Sequence, residues 1–149
     1  MTLLIVNALA TWYLIGLIWL VQAVHYPLLA RVGTAEFAAY ERAHVRRITP
    51  VVGPPMAVEL ATSALLALDP PGAPGVLWWW LACALSLATW GITGLWAVPC
   101  HSRLEGGFDR AAHRALMAAN LVRCLAWTAR GGLVAWFLLA ALDGRLPTS

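Results

Sequence analysis

The chain has 149 residues, 61% of them hydrophobic and only 11% charged. A soluble domain carries about 25% charged residues, so this chain cannot cover itself with a water-compatible surface. The net charge of +3 reflects ten basic residues, all arginine, against seven acidic ones; most of the arginines cluster in two short regions, which reads as a topology signal, and nothing resembles a nucleic-acid module.

A spanning helix needs about 20 apolar residues. The first candidate covers 3–25 and ends at Tyr26-Pro27. It has no basic leader and no small-residue cleavage site, so it is predicted to span rather than to be removed. The second covers 35–68, with Thr34 as the expected N-cap and Asp69-Pro70-Pro71-Gly72 as its stop. Pro50, Pro54 and Pro55 are expected to kink it. The third covers 76–98 and is closed by Pro99; the fourth covers 109–142 and is closed by Asp143-Gly144. The expectation is an all-α bundle of four transmembrane helices in one integral membrane domain. Helices two and four, about 34 residues each, extend roughly 50 Å and must project beyond a hydrocarbon core of about 30 Å on one side, or break there.

Arg31, Arg42, Arg46 and Arg47 follow helix one, and Arg103, Arg110 and Arg114 follow helix three. The positive-inside rule places both regions in the cytoplasm and both termini outside, with the chain in the plasma (inner) membrane. Trp78-Trp79-Trp80, at the outer start of helix three, reads as an aromatic belt. Cys83, Cys100 and Cys124 form no paired motif and are expected to be buried thiols.

A faint repeat links the two halves. Pro27 to Arg31 after helix one is matched by Pro99 to Arg103 after helix three. Each is followed by glycine, a phenylalanine (Phe37, Phe108), and a histidine on a long helix (His44, His113).

Counting rise per residue from the outer ends puts all four histidines, His25, His44, His101 and His113, roughly 33–43 Å from the outer face. At 100° per residue, Phe37, Tyr40, His44 and Ile48 share one stripe of helix two, while Asp109, His113, Met117, Asn120 and Cys124 share one stripe of helix four. Asn7, Thr11, Gln22 and His25 share a face of helix one.

Neutral imidazole is the commonest protein metal ligand. Glu41-Arg-Ala-His44 places a carboxylate and an imidazole on one side of a helix, a spacing used by di-metal sites in bundles. The expected metal set is His25, Glu41, His44, His101, His113 and Asp109, with Glu105 as a further carboxylate, and iron or copper ahead of zinc. Haem b between two histidines is an alternative. So are a metal-free acid–base site and merely interfacial histidines.

Glu59 lies midway along helix two, where an acid costs about 2.5–3.5 kcal/mol and so faces inward and pairs. Arg123 and Arg130 are the partners available by depth. Glu59 follows Glu41 by five helical turns and should share its face if the proline kink does not rotate the helix. It is either a polar cavity or proton-relay group or half of a buried ion-pair clamp. Ser86, Thr89 and Thr93 are expected to make interhelical hydrogen bonds.

Val98-Pro99 with Leu104, then Asn120-Leu-Val-Arg123 leading into helix four, resembles the anthrone-oxygenase-like family of small four-helix membrane proteins. Pro27 and the segment containing Phe37 add a looser match. The resemblance implies Asn120 and Arg123 as site residues, and oxidation of a lipophilic substrate of the anthrone type. The chain departs from the family pattern at His101, where Asn is expected.

These readings converge on a membrane oxidoreductase, metal-dependent and oxygenase-like, with Glu59, Asn120 and Arg123 on the substrate side of a cytoplasmic histidine site. The competing readings are a haem-binding electron-transfer protein and a non-catalytic accessory subunit. The partners expected are the bilayer, a lipophilic small molecule and, in a homo-oligomer, further copies of the chain.

Overall fold

The computed structural model describes residues 1–71 and 74–143. They form an all-α four-helix bundle: α1 Thr2–Leu29, α2 Thr34–Leu68, α3 Val76–Leu104 and α4 Arg110–Leu142, each long and apolar enough to cross a membrane. Three short connections join them, so neighbours run antiparallel. Each helix packs on two others, in the closed order α1, α2, α3, α4 and back to α1.

The bundle is apolar outside and polar within. Leu95 is 86% and Leu77 is 78% exposed, whereas Glu41, Glu59 and Arg130 are completely buried. In water this would be inverted; in lipid the outer leucines need no cover and the polar groups must find partners inside. Three apolar layers stack along the axis. One surrounds Trp79 and Phe137 near the termini. The middle one holds Met56 and Trp127. The third, at the opposite end, surrounds Phe37 and Leu116. This third end, where the histidines lie, is called the histidine end below.

Two expected helix ends are displaced. α1 runs through Pro27 to Leu29, and α3 through Pro99 to Leu104, rather than stopping at residues 25 and 98. A π-helical turn precedes each proline: Val21–His25 in α1 and Thr93–Ala97 in α3. Proline has no N–H and its ring crowds the carbonyl four residues back. A wider turn accommodates that ring and lets the helix continue. The two π segments lie at the same distance ahead of their prolines, so the repeat read from the sequence extends to local backbone geometry.

The prolines of α2 are absorbed differently, for the helix is continuous through Pro50, Pro54 and Pro55. Pro55 leaves the carbonyl of Val51 without its helical donor, and the Tyr13 hydroxyl of α1 donates to it at 3.4 Å. Thr34 is the first helical residue rather than the cap; Gly33 is the N-cap and no side chain caps it. Asp109 does cap, accepting from the amides of Ala111 and Ala112 at the start of α4. Gly107, at φ +134°, makes the turn before it. Gly72 and Gly144, expected to help close α2 and α4, lie outside the described residues. The Trp78-Trp79-Trp80 run divides: Trp78 and Trp80 are exposed as a belt, while Trp79 is buried against Phe137 with 4.1 Å between ring centroids. All three cysteines are buried and free.

Candidate functional site

Two polar centres lie inside the bundle, and their hydrogen bonding separates them. The first is in the middle, around Glu59 and Arg130. Arg130 Nη1 donates to Glu59 Oε1 at 3.0 Å. Its other donors reach Thr11, Asn7, Ser63 and the Ala82 carbonyl, so all five guanidinium N–H groups are used. The Glu59 carboxylate also accepts from Trp127 Nε1 at 3.0 Å and from the Ser86 hydroxyl at 3.1 Å. Asn7 Nδ2 closes the network on the Glu59 carbonyl, Thr62 and Ser63. All four helices contribute, and neither Glu59 nor Arg130 keeps an open position. The pair is an interhelical clamp: of the two roles expected for Glu59, the geometry matches the structural one, and the partner is Arg130 rather than Arg123.

The second centre is at the histidine end. Residues 18 and 21 of α1 are buried, and unbroken α-helical spacing would turn residue 25 inward next. The π turn inserts one extra residue, so Tyr26 is buried while His25 sits at the edge. On α2, Glu41 is completely buried, on the same face as Glu59 five turns later. His101 comes from α3, past Pro99. Its Nδ1 lies 2.5 Å from Glu41 Oε1, and its Nε2 lies 3.1 Å from the Tyr26 hydroxyl. A carboxylate can only accept, so the imidazole proton sits on Nδ1. Nε2 then offers its lone pair to the Tyr26 hydroxyl, which donates. The result is a Glu41–His101–Tyr26 relay assembled from three helices.

His25 and His44 pack beside it. Their rings stack with 4.3 Å between centroids and 23° between planes, and His44 is 5.6 Å from His101. His25 Nε2, His44 Nε2 and Glu41 Oε2 are buried without hydrogen-bond partners among the described residues. His101 has both nitrogens engaged. Among the described residues no three His, Cys, Asp or Glu side chains converge to hold an ion. A stacked pair does not sandwich a haem iron either. As placed, these side chains form neither a chelating set nor a bis-histidine haem pair.

The remaining expected ligands are elsewhere. His113 Nε2 donates to the Tyr26 carbonyl at 2.8 Å, bracing the turn that carries Tyr26. Asp109 caps α4 and pairs with Arg103 at 2.8 Å. Its two amide hydrogen bonds, and then the Arg103 charge, hold its carboxyl below the usual range. The structure thus gathers His25, Glu41, His44 and His101, and not His113 or Asp109.

Asn120 and Arg123 lie between the two centres on α4. Asn120 donates to Gln22 Oε1 at 2.9 Å and to the Ile18 carbonyl at 3.4 Å. Arg123 Nη1 reaches Asn120 Oδ1 at 3.4 Å, Nε has no partner, and the guanidinium lies 5.0 Å from the Trp127 ring centre.

A cavity of about 340 Å³ lies at this level. Its apolar walls are Val45, Ile48 and Val52 of α2 and Trp90, Ala97 and Val98 of α3. Tyr26, His101 and Arg123 supply polar groups, with Glu105 also contributing. A second cavity of about 350 Å³ lies across the cluster, lined by His25, Tyr40, His44 and Arg47. His25 and His44 line the second cavity, His101 lines the first, and Ile48 lines both.

No family model, no curated protein and no solved structure matches the chain. Function is therefore read from the site itself.

Sequence reasoning singled out His25, Glu41, His44 and His101, which meet at the histidine end, and Arg123, which shares a cavity with His101, with Asn120 beside it. It passed over Tyr26, read only as a helix stop before Pro27. A hydroxyl-bearing aromatic between a histidine and a proline was the available signal. It also passed over Trp127, which lies one turn from Arg130 on the same face of α4.

Proposed function

We propose that the protein is a membrane-embedded acid–base enzyme that takes a lipophilic substrate from the bilayer into the cavity between α2 and α3 and transfers a proton at the Glu41–His101–Tyr26 relay. One observation carries this reading: His101, oriented by a buried carboxylate and hydrogen-bonded to Tyr26, lines an apolar cavity walled by two membrane helices. A carboxylate, an imidazole and a hydroxyl in series form the arrangement by which proteins hold imidazole in one tautomer and balance the imidazolium that forms. A proton leaving the substrate passes to His101 Nε2, directly or through the Tyr26 oxygen, and Glu41 offsets the new charge. The second cavity, beyond His25 and His44, gives that proton a way out.

The resemblance to the anthrone-oxygenase-like family supports an oxidative outcome. A substrate with an acidic C–H loses its proton to the relay, and the carbanion is oxidised by dioxygen. For anthrone, one dioxygen yields one anthraquinone and one water. The positive-inside rule supports placing the histidine end, with Arg31, Arg42, Arg46, Arg47, Arg110 and Arg114, in the cytoplasm of a cell whose plasma membrane holds the chain.

Anthrone supplied to the purified protein under air tests the reading by the rise of anthraquinone absorbance. His101→Gln and Glu41→Gln are expected to lower the rate above background by about 10²–10⁴-fold, the range for loss of acid–base catalysis. Variants as fast as the parent, or a parent no faster than spontaneous oxidation, overturn it. The metal-dependent form, with iron or copper on His25, Glu41 and His44, rests on their three unpartnered atoms and requires the rings to unstack. Stoichiometric iron or copper in protein purified from native membranes would support that form.

A further inference from the structure

Arg123 and Arg130 are seven residues apart on one face of α4, and both are buried. Arg130 has a carboxylate and four further acceptors. Arg123 is only 5% exposed, yet among the described residues no carboxylate pairs with it. Among the described residues its one hydrogen bond is the 3.4 Å contact to Asn120 Oδ1. The face of Trp127 eases the charge but does not neutralise it. Glu41 is committed to His101, and Glu105, at the end of α3, makes no ion pair with Arg123. A guanidinium withdrawn from water without an anion is unfavourable unless something completes it. This one lines the cavity and has an idle donor at Nε.

We infer that the cavity ligand supplies the missing charge: it is a lipophilic molecule with a single anionic oxygen head, a carboxylate or an acidic phenol or enol, held by Arg123 with its apolar body between α2 and α3. Guanidinium matches such oxygens with paired N–H donors, and a low-dielectric site strengthens the match. The walls provide the apolar remainder. Val98 and Trp90 are also exposed on the outside of the bundle, so a ligand can slide in sideways from the membrane. Tyr26 and His101 line the same cavity. An anionic head on Arg123 is thereby held beside the relay, and negative charge gathering on it during proton removal is stabilised there.

This inference rests on the proposed lipophilic cavity, and the test separates the two. Full-length protein in phosphatidylcholine nanodiscs is titrated calorimetrically at pH 8 with dodecanoate, dodecanol and dodecyltrimethylammonium. Dodecanoate is expected to bind at least about tenfold more tightly than dodecanol, and the cation not at all. Arg123→Gln is expected to lower the dodecanoate affinity by about 30-fold, the low end for loss of a buried charge partner. A Cβ at Gly53, on the cavity wall, meets no atom within 4 Å, so Gly53→Leu projects into open space. That variant should weaken dodecanoate and dodecanol together. Equal affinity for dodecanoate and dodecanol overturns the anionic head and leaves the cavity reading intact. Binding of neither overturns the cavity reading itself. Dodecanoate binding untouched by Gly53→Leu places the anion elsewhere and also overturns the inference. The comparison of ligands on the unaltered protein decides the charge preference even if Arg123→Gln fails to fold.

Discussion

At the scale of single residues, similar chemistry meets opposite fates according to its partners. Glu59 and Arg130 are saturated, so removing either strands the other. Glu59→Gln leaves a buried guanidinium without its anion, and breaking such a pair costs about 3–5 kcal/mol. A large fall in the thermal midpoint in detergent is the expected result. Trp127→Phe removes one donor to the carboxylate and should cost about 1.5–3 kcal/mol. Arg123→Gln should leave the midpoint unchanged or raise it, because a cation without a counter-ion is replaced by a neutral amide. Differential scanning of the three variants side by side checks this. A midpoint that falls equally for Arg123→Gln and Glu59→Gln would mean that Arg123 has a structural partner of equal worth.

At the scale of helices, proline placement sets which side chains face the core. The π turn ahead of Pro27 puts Tyr26 inside, within reach of His101. Pro27→Ala restores an N–H able to bond the carbonyl four residues back, and so favours an α-helical turn. That rotation moves Tyr26 off the core face. The expected outcome is a folded protein in which the Tyr26 side chain has become accessible to nitration. A Tyr26 as protected as in the parent would show that packing alone maintains the π turn. The start of α4 carries a pH dependence. The Asp109 carboxyl lies below its ordinary value because the Ala111 and Ala112 amides and Arg103 favour its charged form. Its capping contribution is therefore complete above the unfolded carboxyl value of about 3.9 and is lost as pH falls through the lower folded value. Hydrogen exchange at Ala111 and Ala112, corrected for intrinsic rate, should accelerate only below that window, and in Asp109→Ala should be fast at every pH.

At the scale of the whole molecule, an apolar exterior encloses a polar axis. The polar groups join the helices by hydrogen bonds because water is absent there and each must find a protein partner. The chain orientation is open to a direct measurement. All three native cysteines are buried, so a membrane-impermeant maleimide reports only an introduced thiol. Asp69→Cys, in the loop between α2 and α3, should label in intact cells. Glu36→Cys, near the histidine end, should label only after permeabilisation. The reverse pattern would invert the orientation drawn from the arginines.

The sequence by itself determined the four spans, the antiparallel order and the depth of the histidines. In lipid the backbone must satisfy its own hydrogen bonds, which apolar runs of this length do as helices, and hydropathy with charge measures position along the membrane normal. It also put Glu41 and Glu59 on one buried face, since helical periodicity survives the prolines of α2. Only the tertiary structure decided which polar groups meet. Depth alone left Arg123 and Arg130 equally available to Glu59. It also let His113 and Asp109 stand beside His101 as ligands, although one braces a turn and the other caps a helix. Those pairings depend on rotation about each helix axis and on the extra residue in each π turn, which no count along a single helix reveals.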